Sequence, residues 1–456
     1  MVRVCGMIWT SLLLSARVFA ADAVFPYPIH EQTLENGLQV YVVPMPTPNA
    51  VAVYTWFDVG SRDEIDEGRT GFAHFFEHLA FYGTPTWPPD KREEQLLRMG
   101  AEENAWTWLD ETVYHTVLPS THLNRFLAME ADRFQHLALT ADMVQKESGA
   151  VYGEFRKSQA DPADALSKAV WSTAFTTHTY HHDTIGWEED IAAMPTAFSY
   201  AQAFFSRMYR PQNATLIIAG DVQPEPGFEA VRNAGWTAWD PADVTRPEIP
   251  QEPEQLEMRS VSVDWPAETA PQLLVAYKIP PGNRNDPEVA ALEMVQSLLF
   301  GSTGSLNRRL VREEALAFSV SGYRGDHVDP SLFQIQVRLK DAAHLDRTTH
   351  IIEEELERIR LGQIDPEALS RARTHMRYAN LTSLETPSAV ASELGWTLRR
   401  AKDSAAFDVW WQNMDALTPD SLATAAQKWF VESGKTQGVL MHSPPEPPST
   451  PTGDQP

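Results

Sequence analysis

Residues 71–84 read GFAHFFEHLAFYGT, and the reading of this stretch decides both fold and chemistry. On a helix, positions i, i+3 and i+4 share a face. At about 100° per residue, His74 and His78 stand about 40° apart, with Glu77 about 60° to the other side of His74. Phe72, Phe75, Phe76 and Leu79 fall on the opposite face and would anchor the helix in a core. Two imidazoles thus converge on one point with a carboxylate beside them, a geometry that suits two zinc ligands and a general base. The competing reading is two partly buried histidines satisfied by hydrogen bonds, which HxxEH alone does not exclude.

Catalytic zinc needs a third protein ligand and an open position for water. The only cysteine is Cys5, inside a segment read below as a signal peptide. Nitrogen and oxygen must therefore hold any metal, and a disulfide scaffold or thiolate catalysis is excluded. Glu102, Glu103, Glu130, Asp132, Glu147 and Glu154 are all available, and spacing alone does not choose. Nothing in the sequence pairs with His178, His181 and His182, which read as loop histidines.

The chain has 456 residues, 43% hydrophobic, with 14 Trp and 20 Phe, which suits two globular domains. MVRVCGMIWTSLLLSARVFA (1–20) combines Arg3, an apolar run around Met7 to Leu14, and small residues at Val18 and Ala20. That is the pattern of a secretory signal peptide, and its apolar run is too short to span a bilayer. The formal charge is −25, and losing Arg3 and Arg17 makes it −27 (−25 − 2). Such a chain repels nucleic acid and anionic membranes. The expectation is an acidic protein exported to the bacterial periplasm, with no membrane span after signal cleavage.

Asn36-Gly37 between alternating apolar residues signals a hairpin, and AVAVYTWFDVG (50–60) reads as a further strand. Helices are expected over 71–81, 123–137 and 141–157, and the buried strand NATLIIAGDV (213–222) closes a first domain, 21–240. Residues 241–258, proline-rich and acidic, read as a linker. The order of elements then restarts over 259–443, with strands SVSVDW and QLLVAYKIP and a helix over 287–300. A shift of 218 positions lays FYGT (81–84) on LFGS (299–302) and sets Leu292, Val295 and Gln296 against His74, Glu77 and His78. The reading is an α+β chain of two homologous domains, each a mainly antiparallel sheet packed on helices and arranged as half a clamshell. The second copy lacks the polar trio, and residues 444–456 form a proline-rich tail.

HxxEH is the inverzincin order. VGSRDE (59–64), TGFAHFFEHLAFYGT (70–84), ENAWTWLDETVYH (103–115), YHHDTIGWEEDI (180–191) and YRPQNATLIIAGDV (209–222) together resemble the pitrilysin/insulinase family of zinc metallopeptidases. The likeness is strongest to its short bacterial, processing-peptidase-like members. The resemblance implies Zn2+ held by His74, His78 and a glutamate well downstream. With 75 residues between it and His78, Glu154 in KESGAVYGEFRK (146–157) takes that place. It further implies Glu77 as general base in the hydrolysis of unstructured peptides. Glu147 would orient a ligand, and Asn104 and Ala105 would lie on an edge strand that binds peptide.

Full-function members carry an Arg and a Tyr, seven apart, in the second domain. In RRLVREEALAFSV (308–320) those positions hold Val311 and Phe318, and Arg309, Arg312 and Tyr323 do not fit the register. This resembles zinc-bearing subunits whose related partner subunit supplies the pair, so a dimer is expected. The rival reading is a catalytically silent binding or assembly subunit.

Overall fold

The computed structural model describes residues 24–242 and 246–443. The expected signal peptide and the proline-rich tail lie outside them. The first sheet contains β1 (His30–Thr33), β2 (Gln39–Pro44), β3 (Val51–Phe57), β4 (Glu102–Thr107), β5 (Thr112–Leu118) and β6 (Ala214–Gly220). Its order is β1-β2-β6-β3-β5-β4, with β2 and β6 parallel and the other pairs antiparallel. The second contains β7 (Arg259–Trp265), β8 (Gln272–Ile279), β9 (Ala317–Arg324), β10 (Ser331–Leu339) and β11 (Lys435–His442). Its order is β7-β11-β8-β10-β9, and again one pair is parallel, here the outermost, β7 with β11. With β1 set aside, the two orders superpose strand for strand. The duplication suggested by the 218-residue shift is therefore a duplication of topology.

The expected hairpin forms between β1 and β2. Gly37 takes a positive φ of 88°, and the buried Asn36 amide donates to the carbonyls of Trp236 and Trp239, tying the turn to the end of the first domain. Five helices of the first domain matter below: α1 (Phe72–Leu79), α2 (Pro89–Met99), α3 (Leu123–Gln135), α4 (Ala141–Ser158) and α5 (Pro162–Ala174). α1 is shorter than expected, because the chain tightens into a 3₁₀ turn at Ala80–Tyr82. Its apolar face behaves as the periodicity requires, with Phe72, Phe75, Phe76 and Leu79 all buried.

Each half covers the other's sheet with a helix. α5 sets Leu166, Val170 and Ala174 against Leu274, Ala276, Leu332 and Leu440 of the second sheet. The helix Pro387–Ala401 sets Val390, Ala391, Leu394 and Leu398 in the cluster that holds Tyr54 and Trp56 of the first. Both crossings are close. A Cβ at Gly438 would lie 2.3 Å from Val170, and one at Gly395 would lie 2.1 Å from Trp56. The described part of the expected linker, 241–242 and 246–258, is pinned at Glu252 rather than loose. The Glu252 carboxylate accepts from the successive N–H groups of Thr176, Thr177 and His178 at 2.9, 2.8 and 3.0 Å.

Candidate metal centre

α1 begins at Gly71, whose φ of 86° is left-handed. A Cβ there would lie 2.5 Å from the Ile185 carbonyl, so only glycine lets the helix start at this point. The first-turn N–H groups of Gly71 and Ala73 donate to the two oxygens of Glu64, each at 2.7 Å. Glu64 is buried, and burial raises its pKa against those two hydrogen bonds. By accepting from these two N–H groups, Glu64 caps the N-terminus of α1 and anchors its first turn.

On the opposite face, Nε2 of His74 and Nε2 of His78 are 3.3 Å apart. Glu154, reaching in from α4, brings Oε2 to 3.6 Å from each. Bonds of about 2.0–2.2 Å at tetrahedral angles place neighbouring ligand atoms about 3.3–3.6 Å apart. The triangle fits a single small cation with one face left open. The outer partners agree: Glu147, two turns before Glu154, sets Oε1 2.7 Å from Nδ1 of His78, and the Tyr82 hydroxyl donates to Oε2 of Glu147 at 2.7 Å. The hydrogen bond to His78 holds the Glu147 carboxyl below the usual range, so it is an acceptor. His78 then donates from Nδ1, which leaves Nε2 as the atom that would ligate in the gap. Burial drives the His74 pKa down to about 4, aided by the neighbouring His78, so this ring is neutral. His78 is raised, because the Glu147 hydrogen bond and the Glu154 charge outweigh its burial. Among the described residues these three are the group able to hold a metal ion.

Glu77 lies beside the triangle without entering it. Its Oε2 accepts from the Thr107 hydroxyl at 2.7 Å, and burial raises its pKa although Thr107 and His78 oppose the shift. Thr107 ends β4, an open edge of the first sheet. Trp108 N–H donates to Glu111 C=O across the hairpin, and β4 pairs with β5 two by two from there. Antiparallel alternation then turns the backbone groups of Glu103, Ala105 and Thr107 away from β5, the Thr107 backbone facing Glu77. The Ala105 N–H meets only the Asn104 side-chain oxygen at 2.9 Å.

Of the other acidic candidates, Glu103 and Glu130 are held by Arg92 and Arg133 in a buried four-membered cluster. Asp132 accepts from the Thr84 hydroxyl and lies 3.1 Å from His136, and Glu102 is exposed. The loop histidines are not idle. His178 is buried and lies 2.8 Å from Asp329 of the second half, while His182 is buried with Nδ1 on the Asp183 carbonyl. Sequence reading did not find the partner of His178 because Asp329 comes from a tertiary contact with the second half.

Two family models match in order along the chain: insulinase (peptidase family M16) over residues 40–187, and the M16 inactive domain over 200–376. The chain belongs to the M16 peptidases. Among M16 relatives, the zinc protease PqqE of Helicobacter pylori is 27% identical over 444 residues, spanning 96% of this chain and 98% of that one. A probable mitochondrial-processing peptidase subunit beta of Arabidopsis thaliana is 23% identical over 420 residues, spanning 88% of this chain and 76% of that one. The crystal structure of a protease from Helicobacter pylori aligns with TM-score 0.85 at 25% identity over 91% of this chain and 99% of that one. A putative M16-like peptidase from Alicyclobacillus acidocaldarius aligns with TM-score 0.78 over 92% of this chain and 99% of that one. At 21% identity it speaks for the fold alone. Glu64, Tyr82 and Thr107 were missed at the sequence level, although all three sit in or beside the stretches that carry the M16 resemblance.

Proposed function

We propose that this chain is a zinc-dependent endopeptidase of unstructured peptides, exported to the periplasm. The observation that carries the reading is the triangle of His74, His78 and Glu154 with Glu77 half-buried at its side, off the ligand set. Bound zinc supplies Lewis acidity there and lowers the pKa of water from 15.7 to about 7. The chain's own residues do the rest. Glu77 takes the proton of the attacking water and returns it to the nitrogen of the leaving amine. Its raised pKa suits both tasks better than an exposed carboxylate would. Glu147 keeps His78 in the tautomer that ligates. The outward N–H and C=O of Ala105 receive the peptide as an added strand, Asn104 releasing the N–H it caps. Backbone pairing of this kind tolerates many sequences and demands an extended substrate.

A cleft of about 710 Å³ between the halves continues from the end of β4, its walls including Trp108, Trp171, Trp187 and Tyr323. The second half offers this chamber no Arg–Tyr pair at the family positions. Val311 packs on the second core, Phe318 is 55% exposed, and Arg309 is held by Glu354 and Glu355. This supports a working dimer in which a related subunit supplies the pair, in line with a relative named as a peptidase subunit.

The test is Glu77→Gln. It should keep the metal, read by elemental analysis, and lose about 10²–10⁴-fold in hydrolysis of a quenched peptide. An E77Q chain as active as wild type would end the assignment.

A further inference from the structure

The turn that follows Thr107 is held by the other half of the molecule. Asp110 and Glu111, at the tip of the β4–β5 hairpin, are fully buried. Oδ1 of Asp110 accepts from the Tyr180 hydroxyl at 2.6 Å, and Oδ2 lies 3.1 Å from both His327 Nδ1 and the Val328 N–H. Arg399 and Arg400, in the last turn of the helix Pro387–Ala401, complete the grip. Arg399 donates to the Asp110 carbonyl and pairs with Asp58 at 2.5 Å. Arg400 pairs with Glu111 at 3.2 Å and donates to the Asp326 carbonyl at 2.6 Å. From the first half, Arg62 N–H donates to Leu109 C=O at 2.8 Å. Gly60 admits this approach, since a Cβ there would lie 2.4 Å from the carbonyls of Trp108 and Leu109.

Buried ion pairs contribute little net stability compared with apolar packing. What they do supply is direction, since each charge needs its partner at a fixed angle and distance. The direction here is along the hairpin, whose opposite shoulder is Thr107 with its hydroxyl on Glu77.

We propose that Arg399 and Arg400 are positioning residues of the reaction. Through Asp110 and Glu111, the half without a metal motif sets the height of the β4 edge and the angle at which Thr107 holds Glu77. The inference rests on the endopeptidase reading for its catalytic meaning, but its structural content can be measured without turnover.

The experiment is hydrogen exchange on the metal-free chain, wild type against Arg400→Met. Amides of residues 102–118 should exchange about tenfold faster, while the β1–β2 hairpin and β10 keep their wild-type rates. Should Arg400→Met fail to yield folded protein, Glu111→Gln cuts the same link with less change of volume. Acceleration spread evenly over the chain, or none at the hairpin, overturns the proposal. A double-mutant cycle on the zinc-loaded protein adds the readout that a purely structural role would not move. Arg400→Met and Thr107→Val should each lower kcat about tenfold at full zinc content, and the double variant should fall no further than the worse single one. Effects that multiply instead refute the link. If wild type plus zinc cleaves no peptide, either alone or copurified with its partner subunit from the native source, the endopeptidase reading fails, and the exchange data still decide whether Arg400 holds the hairpin.

Discussion

Replacing Glu147 should perturb the proposed metal centre without removing any of its three proposed ligands. Its carboxylate meets Nδ1 of His78 at 2.7 Å and is itself braced by Tyr82 at 2.7 Å. Deleting it frees the imidazole to rotate and to swap tautomers, so that Nε2 no longer stands ready as a lone pair. Outer carboxylates of this kind are worth about 10–100-fold in metal affinity, or about 1.4–2.7 kcal/mol. Glu147→Gln keeps an oxygen that can accept from Nδ1 and loses the charge; its side chain is only 13% exposed, so water restores little of that loss. The Gln variant should therefore weaken zinc about tenfold and the Ala variant about a hundredfold. Competition with a chromogenic chelator at fixed pH reads both numbers, and thermal unfolding of the metal-free proteins controls for folding. An Ala variant that holds zinc as tightly as wild type, while His78→Ala loses it, would refute the orienting role and with it the tautomer assigned to His78.

Three further outcomes follow from other parts of the molecule. His182 is kept neutral by burial, its pKa lowered from 6.5 to about 4. The unfolded chain takes up a proton in that window and the folded one does not. Stability is therefore lost as pH falls from about 6.5 toward 4, up to about 3 kcal/mol from this group. His182→Gln should flatten the acid limb of Tm against pH, and an unchanged slope argues against the burial. Ala105→Pro removes the outward N–H of β4 and should raise KM several-fold with zinc content unchanged, whereas an unaltered KM would mean that peptide does not add to this edge. Gly395→Ala drives a methyl into Trp56. It should cost about 1–3 kcal/mol in denaturant unfolding, and a neutral result would show that the helix Pro387–Ala401 can shift.

How much of this was legible depended on the range of the interaction. The 3.6-residue pattern of GFAHFFEHLAFYGT carried the amphipathic α1 and the shared face of His74 and His78, since both are local. The proposed third ligand was not local. Glu154 arrives on a separate helix, and among six acidic residues only the likeness to a family singled it out. Glu103 and Glu130 illustrate why composition could not choose, because their charges are consumed by Arg92 and Arg133. Thr107 was invisible for a related reason: its role needs the height of β4 against α1, which packing sets. The repeat at 218 positions was readable in the order of strands. The apolar stripes of α5 and of the helix Pro387–Ala401 did not reveal that each lies on the sheet of the opposite half.

That exchange of helices constrains how the chain can be cut. Severed within 243–245, either fragment would show a naked sheet face and an orphan helix whose greasy stripe has no home. Each alone should clump, whereas the two made together in one cell should clasp and regain solubility. The swap is reciprocal, so the two halves are bound to rise and fall together in any unfolding experiment.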